Sequence, residues 1–254
     1  MKFRSLVCAL AILVPVTAGA QQQQAPAPES LFEQAIHDYL LRHPEVLMEM
    51  TQRLQQIQGE NGYAQHKAEL VDNAQDPVVG NPKGDVTVVV FFDYQCPACK
   101  MLGPEIDKLL ASDKGVKVVY KDYPILGPGS LMAAKAALAS MSQGGYEAFH
   151  NALLNDKTSG HNLGEPRILE IATSVGLNAD KIKAEMKSPQ VDAAVTRNIA
   201  LGDQVAHKAT PGMFVGSQFV PGAASFEQLT QLVAKVRGEN KNSAGEPGQK
   251  SKRS

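Results

Sequence analysis

The stretch Val86-Thr-Val-Val-Val-Phe-Phe-Asp-Tyr-Gln-Cys-Pro-Ala-Cys-Lys100 constrains the fold more than any other part of the chain. Val86 to Phe92 is a short run of β-branched and aromatic residues, the length and composition of a strand. Its near-continuous apolar character fits a strand covered on both faces. The run stops abruptly, and an amphipathic segment begins at Cys96-Pro97-Ala98-Cys99 without a gap. Two thiols therefore fall in the first turn of a helix that follows a buried strand. Unpaired backbone N–H groups and the helix dipole favour negative charge there. A thiol so placed loses its proton more easily, and the thiolate is the form that attacks disulfides. The expected chemistry is thiol–disulfide exchange.

The first twenty residues read as an export signal. Lys2 and Arg4 give a positive start, and Val7 to Val16 is apolar but too short to span a bilayer. Ala18-Gly19-Ala20 has the small-x-small pattern of a cleavage site. Cleavage after about Ala20 removes Cys8, the first of three cysteines, and leaves Cys96 and Cys99. The 25 basic residues, less Lys2 and Arg4, become 23 against 26 acidic, a net charge of −3. No global basic field points to nucleic acid. An exported protein lives where disulfides persist, yet this one has no cysteine framework to staple it. Its remaining sulfurs suit chemistry better than stapling.

Residues 21–28 read as a flexible leader and 29–75 as an N-terminal helical segment. Ser30-Leu-Phe-Glu33 has capping-box spacing, and Phe32, Ile36 and Tyr39/Leu40 follow at helical intervals. Pro44 suits the first turn of a second helix, along which Leu47, Met50, Leu54 and Ile57 form a short heptad-like stripe. Such a stripe packs either on its own domain or on further copies of the chain. The second option makes residues 29–72 an oligomerisation stalk. Gly59-Glu-Asn-Gly62 is expected to separate the stripe from the core, and Asp76-Pro77 to end the segment.

Residues 76–238 read as the main domain. The strand, a helix from Pro97 to about Ala111 and a second strand, Val116–Tyr120, form a βαβ unit with parallel strands. Pro104 is expected to kink that helix. About 130–206 is read as a helical insertion with helices near 131–141, 146–154, 166–175, 179–187 and 189–206. Two short apolar runs around Gly216-Ser217 give a hairpin signal. A last helix opens at Ser225-Phe-Glu-Gln228 and is expected to stop at Gly238. Residues 239–254 contain no large apolar residue and are expected to be disordered.

Two other uses of Cys-x-x-Cys are weaker. Half of a zinc site needs two more ligands. No further mature cysteine exists, and His37, His43, His66, His150, His161 and His207 show no ligand spacing. An inert disulfide closing so short a loop gains little loop-closure entropy. No metal or other cofactor is expected. A binding or holdase module with incidental thiols is the alternative from a different class of function. A cis bond at Thr210-Pro211 does not follow from the residues alone, since most X–Pro bonds are trans.

In order, the strand, Cys-Pro-Ala-Cys-Lys-Met-Leu-Gly-Pro, the inserted helices, Thr-Pro, the hairpin and the last helix resemble the thioredoxin superfamily. The insertion, the export signal and Phe92-Asp-Tyr-Gln-Cys-Pro-Ala-Cys are most similar to bacterial periplasmic Dsb-type thiol:disulfide oxidoreductases of the DsbA kind. His43-Pro44-Glu45-Val46 looks like the N-terminal segment of ScsC-type relatives. The resemblance implies an α/β thioredoxin fold with an inserted helical subdomain and an N-terminal helical oligomerisation segment. It implies Cys96 as nucleophile, Cys99 as resolving thiol, and a cis Pro211 with Thr210 forming the substrate-binding edge. Pro97, Ala98 and Asp93 would tune the pair. The implied partners are exported cysteine-containing proteins, a membrane redox partner of DsbB or DsbD type, and one or two further copies of the chain. Departures blur the direction of the reaction. Ala98 replaces the histidine common in strong oxidases, and Val90 stands where many relatives carry a buried acid. Asp93 and Thr210 look more like DsbC and DsbG isomerases. Oxidase, isomerase and dedicated reductase all remain open on these residues.

Overall fold

The computed structural model describes residues 30–157, 163–206 and 208–245, which divide into two compact units between Leu47 and Met48. The expected export signal and leader, and residues 246–254 of the tail, lie outside the described residues.

The first unit contains α1 (Leu31–Arg42) and the start of α2 (Pro44–Val71). Ser30 Oγ accepts from Glu33 N–H at 3.2 Å, and the Glu33 carboxylate accepts from Ser30 N–H at 2.8 Å, a reciprocal cap. α1 buries no residue. Leu31, Phe32, Ile36, Tyr39 and Leu41 are all exposed, as is Leu47 on α2.

The second unit is built on a five-stranded sheet ordered β1-β3-β2-β4-β5. The strands are β1 (Val78–Gly80), β2 (Val86–Phe92), β3 (Val116–Asp122), β4 (Gly212–Val215) and β5 (Gln218–Pro221). β2 and β3 are parallel, in register from Val86↔Val116 to Phe92↔Asp122, and the other pairings are antiparallel. Helix α3 (Pro97–Ser112) links β2 to β3. Between β3 and β4 come α4 (Pro128–Ser140), α5 (Tyr146–Asn155), α6 (Glu165–Ser174), α7 (Ala179–Glu185) and α8 (Pro189–Val205), and α9 (Phe226–Gly245) closes the unit.

Alternation along β2 explains its apolar run. Val86, Val88, Val90 and Phe92 join one core with α3, α9 and the inserted helices. Val89 and Phe91 join a second core with Leu70, Val71, Val119, Leu201, Val205 and Phe214. Successive side chains leave opposite faces of a strand, so β2 needs apolar residues at both parities.

Three elements depart from the sequence reading. Gly59 and Gly62 do not interrupt α2. They let it press against β5 and α8, since an added Cβ would lie 2.3 Å from Phe219 Cβ at Gly59 and 3.0 Å from Val205 Cγ1 at Gly62. The end of α2 is therefore part of the core, and Lys117 and Lys121 on β3 hold it by donating to the Val71 and Glu69 carbonyls at 2.7 and 2.5 Å. β1, only three residues long, follows Asp76-Pro77 where no strand was expected. α9 continues past Gly238 to Gly245, so 239–245 is helical rather than disordered. Asn240 Nδ2 donates to the Asp85 carbonyl at 3.4 Å, and Arg237 pairs with both Asp85 and Asp113 at 2.6 and 2.8 Å. Those contacts anchor the helix across the position of the expected stop.

Candidate active site

The strand-to-helix junction is a tight turn in which Cys96 N–H donates to the Asp93 carbonyl at 3.1 Å. Cys96 is the N-cap of α3 and Pro97 its first residue, where the missing N–H costs nothing. Lys100 N–H reaches the Cys96 carbonyl at 3.1 Å and closes the first turn. Both thiols are free. Cys96 retains 7% exposure, Pro97 beside it is exposed, and Cys99 is sealed at 2%.

The two sulfurs differ sharply in acidity. Hydrogen bonding from Cys99 does most to pull the Cys96 thiol down, to about 5. Thr210 and the N–H groups of Cys99 and Ala98 add to it, and burial opposes it. Burial first, then the hydrogen bond to Cys96, pushes the Cys99 thiol far up. Ala98 thus contributes a backbone donor and no charge.

The Thr210–Pro211 peptide bond is cis. Protonated Cys96 Sγ donates to the Thr210 carbonyl at 3.2 Å, so residues 114 apart in sequence meet at one sulfur. Pro211 is buried and Thr210 half-buried, and the Pro211 carbonyl accepts from Gly222 N–H at 2.9 Å.

Asp93 is more than a neighbouring charge. Its buried carboxylate accepts from Gln95 N–H (2.8 Å), Ser130 Oγ (2.7 Å), Ile125 N–H (2.9 Å) and Leu126 N–H (3.0 Å). Its own N–H donates to Cys99 Sγ at 3.5 Å. Gln95 extends the link, donating to Ser130 Oγ at 2.9 Å and accepting from Leu163 N–H at 3.0 Å. Asp93 therefore ties the Cys99 sulfur to the loop that carries Ile125 and Leu126, both partly exposed.

Val90, as the sequence predicts, places no acid on β2 behind the thiols. Besides Asp93, a second acid of this region is buried, Asp122 at the end of β3, 1% exposed, and His150 is buried as well. Neither was singled out from sequence. The available signal is that Asp122 shares the parity of the apolar Val116, Val118 and Tyr120 on this strand. Among the described residues no cluster of three or more His, Cys, Asp or Glu could hold a metal ion. His161 and His207 lie outside the described residues.

A thiol at the helix N-cap, a sealed second thiol one turn on and a cis Thr210–Pro211 bond beside the first sulfur form an arrangement able to carry thiol–disulfide exchange. The DSBA-like thioredoxin domain profile matches residues 87–234. The chain belongs to this family of thiol–disulfide oxidoreductases. The Copper resistance protein ScsC N-terminal domain profile matches residues 29–60. A thioredoxin-like oxidoreductase of known structure from Silicibacter pomeroyi DSS-3 is 40% identical, with a TM-score of 0.65, over 68% of this chain and 98% of its own. Disulfide bond formation protein D of Bacillus subtilis is 26% identical over 176 residues, 63% of this chain and 76% of that protein. The Na(+)/H(+) antiporter NhaA 3 of Salinispora tropica is 27% identical over 165 residues, and the chain spans 25% of that protein's length.

Proposed function

We propose that the protein forms and isomerises disulfide bonds in exported, cysteine-containing proteins, in the periplasm and as a homo-oligomer. The unequal thiol pair carries this reading. Cys96, at about 5, is a thiolate at neutral pH and acts as the nucleophile. Cys99, sealed and far less acidic, is the resolving thiol. In the oxidised protein a client thiolate attacks Cys96 Sγ. The Cys96–Cys99 bond breaks, a mixed disulfide forms, and a second client thiolate displaces Cys96 as the pair leaves reduced. In the reduced protein Cys96 attacks a mispaired client disulfide and lets it reshuffle. The Thr210 backbone beside the sulfur suits strand pairing with an extended client segment.

A stabilised Cys96 thiolate favours the reduced pair and so an oxidising disulfide. The name of the Bacillus subtilis relative supports the same direction. The exposed apolar residues of α1 and the ScsC-type match support an assembly of two or three copies, which suits isomerisation. A membrane partner of DsbB or DsbD type would reset the pair. The exposed apolar face also favours a non-catalytic binding or holdase role. A Cys96→Ala, Cys99→Ala double variant separates the two, because a holdase keeps full function without its thiols. The direct test is Cys99→Ser, which is expected to trap clients as mixed disulfides at Cys96. A variant that traps nothing contradicts the assignment. Deleting residues 30–47 is expected to cost isomerisation of a scrambled client far more than oxidation of a reduced one.

A further inference from the structure

A buried polar chain runs behind Cys99. Cys99 shares with His150 on α5, Tyr120 and Phe92 a small cavity of about 10 Å³. The His150 ring is 1% exposed and held among aromatic rings, with centroids 4.1 Å from Tyr120, 4.8 Å from Phe92 and 5.4 Å from Tyr146. Its Nδ1 lies 3.0 Å from Tyr94 Oη and 3.5 Å from Tyr146 Oη. Tyr146 Oη in turn donates to Asp122 Oδ2 at 3.5 Å. The two ends of this chain, His150 Nε2 and Asp122 Oδ1, are buried without a hydrogen-bond partner. Native interiors seldom leave such atoms unmatched, and a functional site is one of the reasons they do.

We propose that His150, Tyr146 and Asp122 are a proton relay serving Cys99. The inference rests on Cys99 being the resolving thiol. When Cys99 attacks a mixed disulfide on Cys96, its S–H bond breaks and the proton passes to His150 Nε2. The proton on Nδ1 leaves through Tyr146 to the Asp122 carboxylate. The Cys96–Cys99 bond forms, the bond from Cys96 to the client sulfur breaks, and its electron pair leaves on the client as a thiolate. When a client opens the Cys96–Cys99 bond, Asp122 returns the proton by the same route and Cys99 leaves as a thiol. Cys99 and His150 both line that small cavity, so sulfur and ring border the same space. Contacts that are long in a resting site tighten as reaction proceeds.

The imidazole only exchanges tautomers and never becomes a cation. That matches a ring whose pKa burial pushes down to about 3. Burial also raises the Asp122 carboxyl well above the usual range, which favours its protonated form. The titratable groups around the relay are Tyr94, Tyr120 and Tyr146, with Asp76 and Asp93 acting on Asp122 through their charges.

The test is made on the full-length protein with glutathione attached to Cys96 as a mixed disulfide. Release of glutathione by Cys99 is followed in the parent protein and in the near-isosteric variants Asp122→Asn and Tyr146→Phe. The relay predicts release slowed about tenfold or more in both. In a Cys99→Ser background the same changes should leave the attack of Cys96 on glutathione disulfide unchanged. Nitrogen-15 NMR of the unaltered protein supplies a readout independent of substitution. His150 should carry its proton on Nδ1 when reduced and on Nε2 when oxidised. Unchanged release, loss of both rates together, or one tautomer in both redox states overturns the relay. If Cys96 in the Cys99→Ser protein forms no mixed disulfide at all, the exchange reading itself fails and the relay with it.

Discussion

Helices α1 and α3 carry the same kind of message in sequence and have opposite fates. Each has apolar residues at helical intervals and a recognisable start, Ser30 with Glu33 in one and Pro97 in the other. In α3, Leu102, Ile106 and Leu109 are at most 2% exposed and belong to the main core. In α1, Leu31 and Phe32 are 86% and 73% exposed, and nothing is buried. Periodicity says that a helix has an apolar face. It does not say whether the cover belongs to the same chain. For α3 the cover is the sheet and α9. For α1 the proposed cover is another copy, because an exposed apolar face marks an interaction surface.

The contrast can be broken at several points. Leu109→Ala should cost the fold about 2–5 kcal/mol in urea unfolding, since it opens a cavity in a sealed core. A loss under about 1 kcal/mol would mean that α3 is not packed as described. Gly59→Ala, ordinarily helpful by about 0.5–1 kcal/mol in a helix interior, should instead cost about 1–3 kcal/mol. The cause is the close approach of Phe219. A stabilised variant would detach the second half of α2 from the core. Ser30→Ala should weaken α1 by about 1 kcal/mol through loss of the cap. Its readout is loss of helical signal and of assembly, with the unfolding midpoint of the body unmoved. Ile36→Ala should change stability of an isolated copy by less than about 0.5 kcal/mol, yet lower the mass seen by analytical ultracentrifugation. Unchanged mass at all concentrations would leave α1 without the proposed partner.

Much of the body was legible because its signals are local. The β2 run, the Cys-x-x-Cys junction, the Gly216-Ser217 hairpin and the order of the inserted helices follow from composition and spacing. What escaped depends on contacts between distant segments. Gly59 and Gly62 look like a break until Phe219 and Val205 are known to lie against them. β1 is too short to carry a period, and it exists because β3 offers an edge. Asp93 reads as a lone acid beside the pair, and its four donors come from residues 95, 125, 126 and 130. His150 and Asp122 are 28 residues apart in sequence and are linked through tyrosine hydroxyls such as that of Tyr146. No spacing rule joins them.

The central claim is the division of labour between Cys96 and Cys99. A thiol lowered in the folded state stabilises the reduced protein above its unfolded value near 9, and this is lost as pH falls through about 5. Reduced protein should therefore lose stability relative to oxidised protein on acidification across that window. The most direct measurement is the pH dependence of alkylation of each cysteine in the reduced native protein, read separately by mass spectrometry. The account predicts that Cys96 reacts with a midpoint near 5 and that Cys99 stays unmodified across the native range. Equal rates at both cysteines, with a shared midpoint near the ordinary thiol value, would contradict it.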